Sequence, residues 1–307
     1  MTRHIQKWNS IKERGGMFPL MFVLAFYRIG GRWLCRIMMY FIITWYWVFS
    51  RTVRETSLEY LQHLYAFSKD DSLFKQPPTL KHTYAHLMTF GECILDKMEG
   101  WLGKISDQVL DLHGHEHFRA HYDKGAILVV SHFGNIELLR AIKSETKQKI
   151  NVLVYQKHAT QFNQFLKRIN ENSDVNLISV DELGLETALI LQEKLDHGEW
   201  IIIAADRTPV QSDRIQMIDF LGQPAAWPEG AWLLANLLKA PVLAVFCYRV
   251  GISVQVHIHA IAEQLHFPRS SRKEAIQKVM KTYVALVEQH CIHAPYQWFN
   301  FYHFWNK

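Results

Sequence analysis

Cysteine is scarce and scattered. The 307 residues hold four, Cys35, Cys93, Cys247 and Cys291, and no two stand in C-x2-C spacing. That excludes a disulfide framework and the usual zinc and dithiol motifs, and fits reduced thiols in a cytosolic setting. Glycine and proline are sparse too, at 15 and 9 residues, and no stretch is rich enough in them to divide the core with a linker. No G-x-S-x-G sequence occurs, so Ser131 beside His132 is not a hydrolase nucleophile on its elbow. Neighbouring strand residues in any case point to opposite faces. Both glycine-rich phosphate loops, G-x4-G-K-[ST] and G-x-G-x-x-G, are missing. Internal repeats and low-complexity tracts are absent as well.

What remains is an ordinary globular balance. Hydrophobic residues make up 49% and charged residues 21%, which excludes a disordered chain or a coiled coil. A chain of this length buries a full core without staples. The formal charge of +5 is unevenly spread. Residues 1–54 carry nine basic side chains and one acid, Glu13, a balance of +8; the other 253 carry 25 bases and 28 acids, a balance of −3. The basic character belongs to one end, which argues against nucleic acid as a partner.

That end is also strongly apolar. Met17 to Tyr27 and Ile37 to Ser50 form two uncharged runs, each shorter than the roughly 20 residues needed to span a bilayer. Between them Arg28, Arg32 and Arg36 stand four residues apart, a single basic stripe on a helix. Trp33, Tyr40, Trp45, Tyr46 and Trp47 suit a headgroup region. The segment reads as an interfacial helix pair or one tilted span, held to anionic lipid by its arginines. The competing reading is a buried helical hairpin with solvated arginines. A cleaved signal peptide fits poorly, since Pro19 interrupts the first run and no small-residue cleavage site follows. The expected organisation is a membrane-associating helical segment over 1–54 and an α/β domain over 55–307.

Residues 51–125 read as mostly helical, with apolar spacing of three and four over 58–67 and 82–98 and a loop at Pro77-Pro78. From 126 onward the pattern changes. Strand-like runs at 126–131, 150–155, 175–180, 200–205, 241–248 and 252–260 alternate with helical stretches near 136–145, 160–170, 183–196, 228–239 and 272–290. This alternation predicts an α/β fold with a mainly parallel sheet flanked by helices.

Open α/β sheets place their sites at the carboxyl ends of strands. The first run of the α/β part, AILVVS, ends at Ser131 and leads at once into His132-Phe133-Gly134-Asn135-Ile136-Glu137. Gly134 permits close approach to the backbone, and Asn135 is placed to cap the next helix. Glu137 then falls in the first helical turn, facing back toward His132. A carboxylate on one ring nitrogen fixes the tautomer and raises the basicity of the other, which can take a proton from an alcohol or amine. The spacing alone is weak: chance gives about one or two H-x4-[DE] pairs in a chain of this composition, and one occurs. A loop histidine followed by a dipole-stabilising acid would look the same.

The surrounding residues add context. Ser131-His132-Phe133-Gly134-Asn135 with Glu137 resembles the first signature of the lysophospholipid acyltransferase superfamily. It is most similar to the branch of lipid A biosynthesis lauroyl and myristoyl acyltransferases, whose signature begins H-[FL]-G-N. His197-Gly198-Glu199 leading to Ala205-Asp206-Arg207 resembles that branch's second block. Phe220 to Ala225, followed by Trp227-Pro228-Glu229-Gly230, resembles the third, and Ala240-Pro241-Val242 the last core strand. The likeness runs in order over 126–250. The ending Pro295 to Tyr302 is similar to a subgroup of predicted acyltransferases in the same superfamily.

The resemblance implies a glycerol-phosphate acyltransferase-like fold on the cytoplasmic side of a bacterial inner membrane. It implies acyl transfer from acyl carrier protein or acyl-CoA to a hydroxyl or amine of a lipid or glycolipid, with no cofactor and no metal. By position, His132 is the general base and Glu137 the residue that orients and charges it; many members have Asp where this chain has Glu137. Gly134, Asn135, Arg207, Trp227, Pro228, Glu229 and Gly230 are the expected substrate-binding residues. Arg207 or backbone amides near Gly134 are candidates to stabilise the oxyanion; a structural salt bridge of Arg207 with Asp206 or Asp213 is an equal alternative. Pro228 and Gly230 would shape a substrate loop. Glu229 would bond a polar acceptor group or simply start a helix.

Two other features require an account. His113, His115, His117 and His121 form H-x-H-x-H-x3-H, which on a strand would turn three imidazoles to one face, yet no nearby Cys or Asp completes a ligand set. The last eleven residues of the aromatic ending, 295–305, hold seven aromatics, expected to pack across the core, or else to wall an acyl tunnel. Two rivals to the enzyme stand beside these: a non-catalytic membrane module that holds an acyl chain or acyl carrier, and a metal-dependent hydrolase built on the histidine tract.

Overall fold

The computed structural model describes residues 17–68, 74–102, 104, 110–122, 124–139, 148–154, 175–179, 185–207, 214–251 and 253–305. The helix expected at 160–170 and most of the one at 136–145 lie outside these residues. Three helices come first: α1 (Met17–Phe49), α2 (Arg51–Ser68) and α3 (Leu80–Trp101). Then follow β1 (Leu110–His113), α4 (His115–Arg119), β2 (Ala126–Val130), β3 (Ile150–Val154) and β4 (Val175–Ser179). After these come α5 (Leu185–Asp196), β5 (Trp200–Ala204), β6 (Ile215–Phe220), β7 (Gln223–Pro228) and α6 (Gly230–Leu238). The chain closes with β8 (Val242–Val250), β9 (Ser253–Ala262) and α7 (Arg272–His293).

Seven strands form one sheet in the order β1-β9-β8-β2-β5-β3-β4. Every pairing is parallel except β8 with β9, so the mainly parallel α/β sheet is confirmed. All five residues of β2 are buried, which is why its sequence is continuously apolar rather than alternating. Ile127 and Val129 face a core completed by α6, α7 and the C-terminal tail; Leu128 and Val130 face a second one with Phe118 and Trp200. The aromatic tail packs as expected, with Trp298 fully buried against Tyr60, Phe220 and Phe304.

Two elements depart from the periodicity. β1 interrupts a region read as helical, pairing with β9 at the far edge of the sheet. β6 and β7 form a separate antiparallel hairpin where only a motif block was visible. Its two turn residues, Leu221 (φ 52°) and Gly222 (φ 77°), are both left-handed, as a tight hairpin demands. Leucine is tolerated there because it is buried and its N–H donates to Glu288 at 2.7 Å.

α1 bends at Gly31 (φ 63°, ψ −160°), a conformation only glycine adopts cheaply. Its inner side packs on α3 through Cys35, Met39 and Ile43 against Leu87 and Leu95. The arginine stripe is not uniform. Arg32 turns inward and meets Asp96 and Glu99 at 2.6 Å and Glu92 at 2.8 Å. Its charge is therefore neutralised within the fold and is not offered to lipid, while Arg36 stays largely exposed beside Glu92. The outer side of α1 exposes Ile29, Trp33, Phe41, Trp45 and Phe49. Among the described residues no single helix is long and apolar enough to cross a membrane. The α1–α2 pair, bent by 91°, passes that test by length and composition only.

The histidine tract is not a strand. Gly114, left-handed at φ 73°, ends β1 and starts α4, so the imidazoles do not share one face. Among the described residues no group of His, Cys, Asp and Glu is arranged to hold a metal. Instead His113 stacks on His257 at 4.3 Å, and His259 Nε2 lies 3.1 Å from His290 Nε2. Tyr248 Oη bridges His257 and His290. Burial, reinforced by the neighbouring imidazoles of this cluster and His293, pushes His290 down to about 2 and His257 to about 4; Asp111 alone pulls His257 back up. Burial and His117 lower His259 likewise.

A pH dependence follows. Unfolded imidazoles gain protons near pH 6.5 while the folded ones stay neutral, so below that pH the unfolded chain binds more protons. Stability is complete above about pH 6.5 and declines as pH falls toward 4. Thermal denaturation should give a level Tm from pH 7 to 8, a steady drop between 6.5 and 4, and a shallower drop in His290→Gln. A Tm unchanged down to pH 4 would contradict this account.

Candidate active site

β2 and β5 run side by side in register, with Val130 opposite Ala204. Two residues further on each strand stand His132 and Asp206, so the sheet itself brings them together. Asp206 is wholly buried. Its Oδ1 lies 2.8 Å from His132 Nδ1, and its Oδ2 accepts the His132 backbone N–H at 2.7 Å and the Asn300 amide at 2.8 Å. A ring held at Nδ1 by a carboxylate carries its lone pair on Nε2. About a third of the imidazole surface is accessible (34%), and Nε2 has no hydrogen bond to a described residue.

The turn after β2 is fixed by its neighbours. Gly134 N–H donates to Gln297 O at 2.7 Å, Asn135 N–H to Cys247 O at 2.6 Å and Phe299 N–H to His132 O at 2.7 Å. Gly134 is left-handed at φ 60°, and an added Cβ would strike the Cys247 carbonyl oxygen. Asn135 Oδ1 accepts the Glu137 N–H at 3.1 Å, the expected capping role, though the described turn over 136–139 is a tight 3₁₀ one. Glu137 is buried. The carboxylate at Nδ1 is Asp206, 74 residues along the chain, where the sequence had offered Glu137 for that position.

Arg207 donates from Nε to Asn300 Oδ1 at 2.8 Å and from a terminal nitrogen to Phe299 O at 3.1 Å. It thereby ties the site to the tail; Asp206 accepts neither of these two bonds, and Asp213 lies outside the described residues. Of the backbone amides near Gly134, those of His132, Gly134 and Asn135 are consumed, by Asp206 and by the carbonyls of Gln297 and Cys247. Trp227 and Pro228 are buried, Trp227 against Phe220, Tyr283 and Phe304. Glu229 accepts from Gln216 across the hairpin, and Gly230 begins α6. These four form the hairpin-to-helix junction.

Electrostatics favour a neutral imidazole. Burial lowers the His132 pKa, Asp206 opposes that fall, and Arg207 and Lys97 add to it. Asp206 is held at about 2: burial would raise it, but the imidazole and Arg207 outweigh burial. At neutral pH the pair is therefore a carboxylate beside a neutral ring. Asp206 and Asn300 were not singled out as site residues from sequence. The available signal was two buried runs, AILVVSH and WIIIAAD, each ending in a polar residue at the same offset.

A parallel sheet with a carboxylate-held, solvent-reachable imidazole at its carboxyl edge has the form of an enzyme site, with a group able to take up a proton. The particular chemistry comes from comparison with known proteins. The chain belongs to the bacterial lipid A biosynthesis acyltransferase family, whose model matches residues 88–307, and it is accordingly an acyltransferase. No curated protein matches it significantly.

Asp206→Asn puts an amide where three N–H groups converge and removes the charge that holds the ring. Turnover should fall by about 10²–10⁴. Any residual activity should also persist to lower pH than in the wild type, because the group that raises the His132 pKa is gone; a purely structural role would leave the pH profile in place. Gly134→Ala should lower turnover by at least tenfold and reduce Tm by several degrees, read by steady-state assay and calorimetry.

Proposed function

We propose that this acyltransferase is membrane-associated and moves a fatty acyl group from an acyl thioester, on acyl carrier protein or CoA, to a hydroxyl or amine of a lipid or glycolipid acceptor. The observation that carries this reading is the His132 ring, held by Asp206 at Nδ1 and open at Nε2. Nε2 takes the acceptor proton as the acceptor oxygen or nitrogen attacks the thioester carbonyl carbon. The tetrahedral intermediate then collapses, the C–S bond breaks, and the departing thiolate takes the proton from the imidazolium. Asp206 stabilises that imidazolium and keeps the tautomer, and the Arg207 charge offsets the oxyanion. Glu137, buried in the same turn, is proposed as a second acidic group acting on the ring.

The exposed apolar side of α1 supports the membrane part of the proposal. Ile29 is 82% exposed, Trp33 72%, and Phe41 and Trp45 68% each. Side chains of this size and number stay out of water when they lie in a headgroup region. Arg36 on the same helix would meet anionic lipid. The proposed location is the cytoplasmic side of the inner membrane, with 1–54 as the associating segment and 55–307 as the catalytic part.

His132→Ala should abolish thiol release from acyl-CoA or acyl carrier protein in the presence of membrane lipid while leaving Tm within a few degrees; retained turnover would remove His132 as the base. Glu137→Gln should cost at least tenfold if Glu137 acts on the ring. In flotation with anionic vesicles, Trp33→Glu with Trp45→Glu should leave the protein in the soluble fraction. Unchanged flotation would sink the α1 docking.

A further inference from the structure

Attack on a thioester leaves a negative charge on the former carbonyl oxygen, and catalysis gains most from a hydrogen-bond donor aimed where that charge develops. Around His132 several ready donors are spent. The backbone amides of His132, Gly134 and Asn135 are bonded to Asp206, Gln297 O and Cys247 O. The Asn300 side-chain amide is spent on Asp206, and Arg207 commits its Nε and one terminal nitrogen to the tail. The hydroxyls of Ser131, Tyr60 and Tyr283 are sealed from solvent, out of reach of a substrate.

Tyr302 differs. It follows Phe299 and Asn300, the two tail residues that accept from Arg207, and its ring centroid lies 6.0 Å from the Arg207 guanidinium carbon. The ring packs on the core, with the Phe304 ring 5.8 Å away. Its hydroxyl has no hydrogen bond to a described residue and, unlike those of Tyr60 and Tyr283, is not closed off from solvent. Burial and the Asp206 carboxylate raise its pKa against the pull of Arg207, so at neutral pH it is an O–H donor. The Arg207 charge acts on the His132 imidazole as well. One cation therefore has both the base and an uncommitted hydroxyl in its field.

We infer that Tyr302 is a further catalytic residue, its O–H donating a hydrogen bond to the oxyanion. The inference rests on the acyl-transfer reading above and adds a hydrogen-bond donor to the Arg207 charge. As the acceptor atom bonds to the carbonyl carbon, the C=O π pair moves onto oxygen, where the Tyr302 O–H meets it. The phenol keeps its proton throughout. When the C–S bond breaks, the pair returns to re-form the carbonyl and the hydrogen bond weakens. The competing account makes Tyr302 one more ring of the aromatic tail, supporting Arg207 through its face at the outer limit of a cation–π contact.

Tyr302→Phe separates the two accounts, because it keeps the ring and removes only the hydroxyl. Thiol release from dodecanoyl-CoA and from dodecanoyl acyl carrier protein is followed with the full chain and a total bacterial lipid extract, over about pH 5 to 9. In the variant kcat should fall by about 10²–10³ while KM changes by less than about threefold. Tm should stay within a few degrees. The acid limb of the pH profile, which reports the base, should stay where it is in the wild type. Undiminished kcat, a loss confined to KM, a Tm lowered by about ten degrees or more, or an acid limb displaced along with kcat would overturn the inference and leave His132 as the base. A wild-type protein that releases no thiol from either donor would instead sink the acyl-transfer reading, and the inference with it.

Discussion

The Asp206 carboxylate is the constraint on which the site depends. It is wholly buried, and a buried charge is sustained only when its lone pairs are met. Here the His132 ring, the His132 backbone and Asn300 all aim at it. Those three groups come from two places, the end of β2 and the C-terminal tail. Satisfying one charge therefore fixes the imidazole, anchors the tail and closes the sheet edge at once. The same geometry supports the proposed chemistry: Asp206 stays ionised at about 2 beside a ring whose pKa is depressed, so a proton gained at Nε2 would meet a counter-charge already in place.

The tail is correspondingly a structural part of the site. Gln297 and Phe299 hydrogen-bond the backbone on either side of Phe133, while Asn300 and Arg207 link the tail to Asp206 and its neighbour. Its aromatic residues provide the grip: Trp298 seals the core against Tyr60, Phe220, Phe304 and Trp305. His86 of α3 reaches the same segment, with Nε2 2.9 Å from Trp298 O and Nδ1 2.9 Å from Ser57. A second fixed assembly joins α1 to the rest, where Arg32 draws together Glu92, Asp96 and Glu99 and Arg249 shares Asp96. The exposed apolar surface of α1 and the turn after β2 both rest on α3: α1 packs along it, and its Cys93 Sγ donates to Gly134 O at 3.2 Å.

Much of the fold was legible because burial writes itself into sequence. Strands covered on both faces must be apolar throughout, so AILVV and WIIIA declared themselves, as did the three- and four-residue apolar spacing of α2 and α3. The His132 turn was legible too, since a polar run at the end of such a strand falls at the sheet's carboxyl edge. β1 and the β6–β7 hairpin were not. β1 is short, at an edge and half exposed, and the hairpin carries leucine where a turn residue would have marked it.

The sequence by itself determined the alternation of strand and helix, the histidine at the carboxyl edge, the glycine that lets its turn approach β8, and the apolar surface of α1. Three-dimensional packing settled which carboxylate holds the ring, that Arg32 is spent inside the fold, and that the amides of His132, Gly134 and Asn135 are already taken. The reason is the same in each case. Local pattern encodes what a residue's own element requires, whereas a hydrogen-bond partner is chosen by strand order and register, which place Asp206 beside His132 across a sequence separation of 74.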